Sequence, residues 1–248
     1  MIKPAFVLPG EKLQQVGRIF GAPLVVKGKT WLPFVQLIAW PITAWIAKKR
    51  LPQRSWWQAL GVGVLTMPVM LAAEWTHNLA HAAAARLVGK PVDAIRITWG
   101  MPLLIYYDIN DAMVTPRQHI FRAVGGPVWN TLLLSLAMVF KRFTKPQSVM
   151  RDMANTAVGT NAFIGLVALL PIPGIDGGPI LKWSLVERGR TPAQADEVVR
   201  RVNGVLGIVL AIAGILFFKK RRWFMGGIML EFAAIASSIG LGILKEQK

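Results

Sequence analysis

The chain has 248 residues, of which 54% are hydrophobic and only 17% are charged, whereas soluble domains carry about 25% charged residues. This composition excludes an ordinary soluble domain and indicates an integral membrane protein. The net charge of +17 does not predict a nucleic-acid partner, because the basic residues form short clusters between apolar runs, at the level of lipid headgroups. The absence of cysteine excludes thiolate metal sites, so any metal ligands must be His, Asp or Glu.

Six apolar stretches predict about six transmembrane helices in the lipid bilayer. Most of them have about the 17–25 residues that a helix needs to cross a bilayer, although the fifth is short. We therefore expect an all-α, multi-pass membrane protein. The stretches are, in chain order, 31–47, 56–73 continuing to about 88, 121–140, 155–172, 204–218 and 223–244.

The segments outside the spans have patterns of their own. Residues 1–30 are mixed and basic, without the cleavage pattern of a signal peptide, so we expect an interfacial segment on the membrane surface. Residues 92–107 alternate β-branched and polar side chains, which predicts a small β-strand or hairpin insert. Thr191 and Pro192 are typical of a helix start. An amphipathic helix should therefore precede the last two spans.

Several ionisable residues lie in or beside the spans, where they are costly and become candidates for function. Glu74, His77 and His81 share one stripe of the second helix at about 100° per residue, with the histidines one turn apart. This spacing suits a divalent metal, although neighbouring carbonyl groups can also satisfy buried histidines. Glu231 in the last span is expected to hydrogen-bond a neighbouring helix or to face the site. His119, at an interfacial helix start, is expected to be solvated.

A second candidate element ends the fourth span. The segment 171–178 reads PIPGIDGG; its prolines end the helix and its glycines allow a close turn, so Asp176 should lie on unwound backbone. The parity of the spans and the helix lengths place this element at the same membrane face and depth as the histidines. Two histidines and a carboxylate form a zinc set with an open fourth position. The alternative is that Asp176 caps a helix beginning at Pro179.

Three sequence elements together carry a family resemblance. They are His77-Asn-Leu-Ala-His81, the segment GGPVWN ending at Asn130, and PIPGIDGG. In order and approximate spacing they resemble the landmarks of the site-2 protease family, which are intramembrane zinc metalloproteases that cut transmembrane segments. The resemblance implies one Zn²⁺ per chain bound by His77, His81 and Asp176. It also implies a three-helix core with the helix of Asn130 in the middle, and a transmembrane protein as substrate or client.

The chain departs from the family at two positions that serve the chemistry. The family motif is H-E-x-x-H, but Asn78 occupies the position of the glutamate, and an amide cannot act as the general base, which is worth about 10²- to 10⁴-fold in rate. The family also has an asparagine eight residues before the aspartate, where this chain has Ala168. Asn161 lies seven residues earlier on the same helix face, about 10 Å away. We consider it, with Asn130, a candidate for substrate binding.

Glu74 is the carboxylate closest in sequence to the missing base. It is one turn before His77, and three roles are open to it. It can be a relocated base, it can hydrogen-bond a histidine or complete the metal ligands, or it can pair with an unrelated Lys or backbone group.

Two readings of the function follow. In the first, the chain is a zinc metalloendopeptidase that hydrolyses peptide bonds of membrane-embedded substrates; in the second, it is a zinc-binding pseudoprotease that binds single-span helices without cutting them. A transporter would need paired broken helices, and only one is evident. The sequence leaves open whether the protein is an enzyme, and we expect it in a prokaryotic cell membrane. The predicted organisation is an interfacial segment (1–30), a first span with a basic loop (31–55), a zinc core (56–189), and an amphipathic helix with two spans (190–248).

Overall fold

The computed structural model describes residues 12–108 and 110–244. This part of the chain contains seven α-helices and four β-strands. It divides into an N-terminal unit, residues 12–108 and 124–168, and a C-terminal unit, residues 110–123 and 169–244. The elements in chain order are β1 (Gln14–Ile19), β2 (Ala22–Val26), α1 (Phe34–Arg50), α2 (Trp56–Leu87), β3 (Ala94–Thr98), β4 (Met101–Ile105), α3 (Pro116–Arg142), α4 (Val149–Ala168), α5 (Gly177–Glu187), α6 (Pro192–Lys219) and α7 (Trp223–Gly240).

The strands form one sheet in the N-terminal unit, in the order β1-β2-β3-β4. β3 and β4 pair antiparallel, which confirms the hairpin predicted over 92–107. β1 and β2 form a second hairpin within the segment expected at the membrane surface, and the sequence analysis did not predict these strands. Their connection, Phe20 and Gly21, has positive φ angles of 52° and 84°, as a two-residue hairpin turn requires. Phe20 is not a typical residue for that conformation, so the usual turn signal is missing.

The helix that carries the histidines is long and has a well-capped N-terminus. α2 has 32 residues, about 48 Å at 1.5 Å per residue, and it confirms the predicted continuation of the second span. Ser55 and Gln58 form a capping box at its first turn. α1 packs closely against it, since the Thr43 hydroxyl donates to the Gly63 carbonyl over 3.1 Å. α2 is thereby held along its first half.

Within residues 12–108 and 110–244, four helices are long and apolar enough to cross a membrane, namely α2, α3, α6 and α7. The prediction of six such helices was therefore too high. α1 has only 17 residues and ends in three basic residues, and α4 has Arg151 and Asp152 in its first turn. The class itself, a mainly helical membrane protein with a small β insert, is confirmed.

The C-terminal unit contains one more correction to the helix boundaries. Thr191 caps α6 with a capping box to Gln194, as predicted, but α6 continues for 28 residues to Lys219. The expected amphipathic helix and the short fifth span are therefore one continuous helix. α6 and α7 approach closely through small residues, since a Cβ on Gly207 would lie 2.3 Å from the Ser237 Oγ atom. Such contacts are typical of packing between membrane helices.

Two ionisable residues of the C-terminal unit differ from the expectation. His119 is buried, with 7% exposed surface, and its ring stacks in parallel on Trp183 at 3.9 Å. The prediction that His119 is solvated was therefore wrong, because the helix start is covered by α5. Glu231 is exposed on α7, and none of the residues in the described part of the chain hydrogen-bonds or pairs with it.

Candidate metal centre

The two histidines of α2 form a buried pair. His77 and His81 have 7% and 5% exposed surface, and their Nε2 atoms are 3.1 Å apart. Two nitrogen ligands of a tetrahedral zinc ion, each with a bond of about 2.0–2.1 Å, lie about 3.3 Å from each other. The rings stand nearly perpendicular, with an interplanar angle of 84°. The predicted one-turn spacing thus produces a nitrogen pair whose separation and chemistry fit zinc.

α3 reaches this pair through two glycines. A Cβ on Gly125 would lie 2.8 Å from the Ala80 carbonyl oxygen, and a Cβ on Gly126 would lie 2.3 Å from the His81 Nε2 atom. Real side chains do not make such contacts, so only glycine allows the two helices to come this close. The Gly126 N–H donates to His81 Nδ1 over 3.3 Å. The GGPVWN segment lies inside α3 and packs on the histidines.

Asn130 and Asn161 join the histidine pair from the neighbouring helices. The His77 Nδ1 atom is hydrogen-bonded to the Asn130 Oδ1 atom, and the Asn130 Nδ2 atom donates to Asn161 Oδ1 over 2.8 Å. Asn161 in turn donates to the Ala157 carbonyl over 2.8 Å. Both asparagines are buried, with 0% and 4% exposed surface. The structure therefore brings together His77, Asn130 and Asn161, and a role of the asparagines in substrate binding stays a prediction.

Glu74 and Asn78 contact each other beside the histidine stripe. The Asn78 Nδ2 atom donates to the Glu74 carboxylate, Oε1, over 3.0 Å, and to the Glu74 carbonyl over 3.1 Å. Both residues are half-buried. Of the partners considered for Glu74, neither a histidine nor a lysine is found among the described residues. Its carboxylate is held by the amide that replaces the family glutamate.

Asp176 lies in the C-terminal unit, at the first turn of α5. A Cβ on Gly177 would come within 2.3 Å of the Leu170 carbonyl oxygen, so the turn needs glycine here. The side chain of Asp176 makes no capping hydrogen bond to α5, and α5 begins at Gly177 rather than at Pro179. Capping therefore does not account for the carboxylate.

The sequence analysis did not identify Asn203, which supports this turn. Asn203 is fully buried in α6, and its Nδ2 atom donates to the Pro171 carbonyl over 2.7 Å. An asparagine inside an apolar helix was the available signal, because a buried amide in a membrane needs partners. Asn203 thereby gives a carbonyl of this turn a buried hydrogen-bond partner.

Comparisons with known proteins show what the chain is similar to. No protein-family model matches the chain. Over 180 residues, which are 70% of this chain and 43% of the relatives' length, it is 28% identical to the proteins named "Putative zinc metalloprotease Rip3" in the Erdman and H37Rv strains of Mycobacterium tuberculosis. Its fold matches the solved "Site-2 Protease from Methanocaldococcus jannaschii" with a TM-score of 0.52 and 13% identity, covering 96% of this chain and 98% of that chain. The chain is thus similar in sequence to these zinc metalloproteases and in fold to this site-2 protease.

These similarities confirm the resemblance to the site-2 protease family that three motifs predicted. Together with the four apolar helices, they make the protein a multi-pass integral membrane protein, and the bacterial relatives agree with the expected prokaryotic membrane. The match covers less than half of the length of those relatives.

Proposed function

We propose that the protein is a site-2-protease-like intramembrane zinc metallopeptidase, with one Zn²⁺ bound by His77, His81 and Asp176. The observation that carries this proposal is the buried pair of Nε2 atoms, 3.1 Å apart. The His77 ring is also held at Nδ1, by the Asn130 side chain. Hydrogen bonds at the second ring nitrogen are the usual way in which proteins orient metal-binding histidines. The printed name of the relatives, "Putative zinc metalloprotease Rip3", supports zinc as the metal.

Asp176 is proposed as the third zinc ligand because of its carboxylate and its position in the chain. It follows the family motif, and its carboxylate is not used to cap α5. Glycines on its C-terminal side let the chain turn without side-chain bulk. Two histidines and one carboxylate leave a fourth position for water or substrate.

The proposed reaction is hydrolysis of a peptide bond in a membrane-embedded segment of a protein substrate. When bound, zinc would polarise the substrate carbonyl and activate a water molecule. We assign the base to Glu74, because position 78 has an amide that cannot accept a proton. The Glu74 carboxylate takes the proton of the attacking water and returns it to the leaving amine. Asn78 orients that carboxylate by its hydrogen bond of 3.0 Å.

A second candidate function is a zinc-binding pseudoprotease that binds single-span helices without cutting them. The observation that favours it is the loss of two reactive groups at positions 78 and 168 while both histidines and the aspartate remain. The metal site is the same in both functions. They differ only in turnover.

One experiment separates these functions. The detergent-purified protein is analysed for zinc and is incubated with a single-span test substrate, with and without a chelator. About one zinc per chain together with chelator-sensitive cleavage supports the protease, and zinc without cleavage supports the pseudoprotease. His77→Ala should lose the zinc, whereas His119→Phe, which removes a histidine outside the site and keeps a ring against Trp183, should retain it. A wild-type protein without zinc would contradict both.

A further inference from the structure

We propose that Asn161 and Asn130 are positioning residues that hold His77 in the tautomer with its proton on Nδ1. The inference rests on the proposed zinc site, because the tautomer decides whether the Nε2 atom of His77 carries a lone pair for a metal. Its basis is a line of hydrogen bonds that crosses from α4 through α3 to α2 and has only one consistent direction.

The direction is set at the Ala157 carbonyl in α4. A carbonyl oxygen accepts hydrogen bonds and cannot donate them. The group of Asn161 that faces it at 2.8 Å must therefore be the NH₂ group. This fixes the orientation of the Asn161 amide, and its Oδ1 atom faces Asn130.

The same reasoning applies to Asn130 in α3. Because Asn161 presents an oxygen, the group of Asn130 that faces it at 2.8 Å must be the NH₂ group. The Asn130 Oδ1 atom is then directed at the Nδ1 atom of His77. Asn130 has no exposed surface, so water cannot replace a lost partner. A reversed amide would place oxygen against oxygen and leave buried polar groups without hydrogen-bond partners, which is unfavourable.

The orientations of the two asparagines determine which ring nitrogen of His77 carries the proton. Facing an acceptor, its Nδ1 atom must carry the proton, and the lone pair of the neutral ring is then on Nε2. If Asn130 were reversed, its NH₂ group would require a lone pair on Nδ1, and the proton would move to Nε2, where it would oppose a metal. One backbone carbonyl of α4 thus selects, through two asparagines, the ring nitrogen of His77 that can bind zinc.

The test combines the protonation of His77 with zinc affinity. The chain has 3 histidines, so ¹⁵N-histidine labelling of the metal-free protein in lipid bilayers gives few imidazole signals, and His77→Gln assigns the signal of His77. The wild type is expected to show the proton on Nδ1. Asn161→Leu is expected to show both tautomers and to bind zinc about 10- to 100-fold more weakly, as for other residues that orient metal ligands.

The matched control is Asn155→Leu, the same substitution on the same helix at a residue outside the hydrogen-bond chain. It should leave the tautomer and the zinc affinity unchanged. Asn161→Asp should retain the Nδ1–H tautomer, because a protonated carboxyl can donate to Ala157 and accept from Asn130. If Asn161 acts through Asn130, the double variant Asn130→Leu/Asn161→Leu should bind zinc no more weakly than Asn130→Leu.

Two results would overturn the inference. The first is a wild-type His77 with its proton on Nε2, which needs no variant to fold. The second is an Asn161→Leu protein with the wild-type tautomer and affinity. If the wild type binds no zinc, the proposed function fails, but the tautomer of the metal-free protein still decides this inference.

Discussion

The side-chain amide of Asn78 donates a hydrogen bond to the carboxylate of Glu74, with 3.0 Å between Nδ2 and Oε1. The residue that replaces the family glutamate therefore holds another carboxylate, one turn earlier on α2. This hydrogen bond supports Glu74 as the candidate base. Because of it, a substitution at either position also changes the surroundings of the other residue.

Glu74→Gln should reduce cleavage of a single-span substrate by about 10²- to 10⁴-fold, because it removes the proposed proton acceptor. Zinc content should not change, since the histidines keep their own partners. The measurement is the cleavage rate of purified protein beside its zinc content. Glu231→Gln, the same change at an exposed glutamate of α7, is the control and should cleave normally. Full activity of Glu74→Gln would exclude Glu74 as the base.

Asn78→Glu restores the family motif but places a second carboxylate where the amide now contacts Glu74. Like charges at this separation oppose each other, so the single variant should gain less activity than Asn78→Glu combined with Glu74→Gln. Both proteins are compared with wild type in the same cleavage assay. If neither gains activity, the missing base is not what limits turnover, and attention moves to Ala168.

Gly126→Ala should abolish zinc binding. Its methyl group would lie 2.3 Å from the His81 Nε2 atom, so α3 or the ring must move. Elemental analysis and thermal unfolding of the purified protein measure the effect. Gly159→Ala in α4 is the control, because a Cβ there meets nothing within 4 Å; it should be neutral, or stabilising by up to about 1 kcal/mol. Normal zinc content in Gly126→Ala would contradict the close packing of α3 on the histidines.

Asp152→Asn should destabilise the N-terminal unit by about 3–5 kcal/mol, the cost of breaking a buried ion pair. The side chain of Asp152 has 5% exposed surface and binds Arg54, whose exposed fraction is 10%, with 2.5 Å between Oδ2 and the guanidinium. The measurement is the unfolding free energy in detergent.

The control for Asp152→Asn is Glu187→Gln, which breaks the surface pair with Arg117, a side chain that is 85% exposed. An exposed pair contributes about 0–1 kcal/mol, so this variant should unfold much like wild type. Equal effects of the two variants would show that burial does not strengthen the Asp152 ion pair.

Parts of the fold and site that depend on local periodicity could be predicted from the sequence. The His77 and His81 pair follows from helical spacing, and the start of α6 follows from the Thr191 cap, because both depend on residues within one turn. The first hairpin was not predicted, since Phe20 gives no turn signal. The burial of His119 was not predicted either, because it comes from Trp183 on a separate helix.

By itself, the sequence determined the class of protein and the positions of the candidate zinc ligands, because apolar run length, helix period and motif spacing are local properties of the chain. Tertiary structure decided what surrounds those ligands. Asn130 and Asn161 are 31 positions apart, and no local pattern indicates that their amides meet in a buried line ending at His77. The packing of α2, α3 and α4 decides which nitrogen of His77 carries the proton, because the buried amides have no water to replace a lost hydrogen-bond partner.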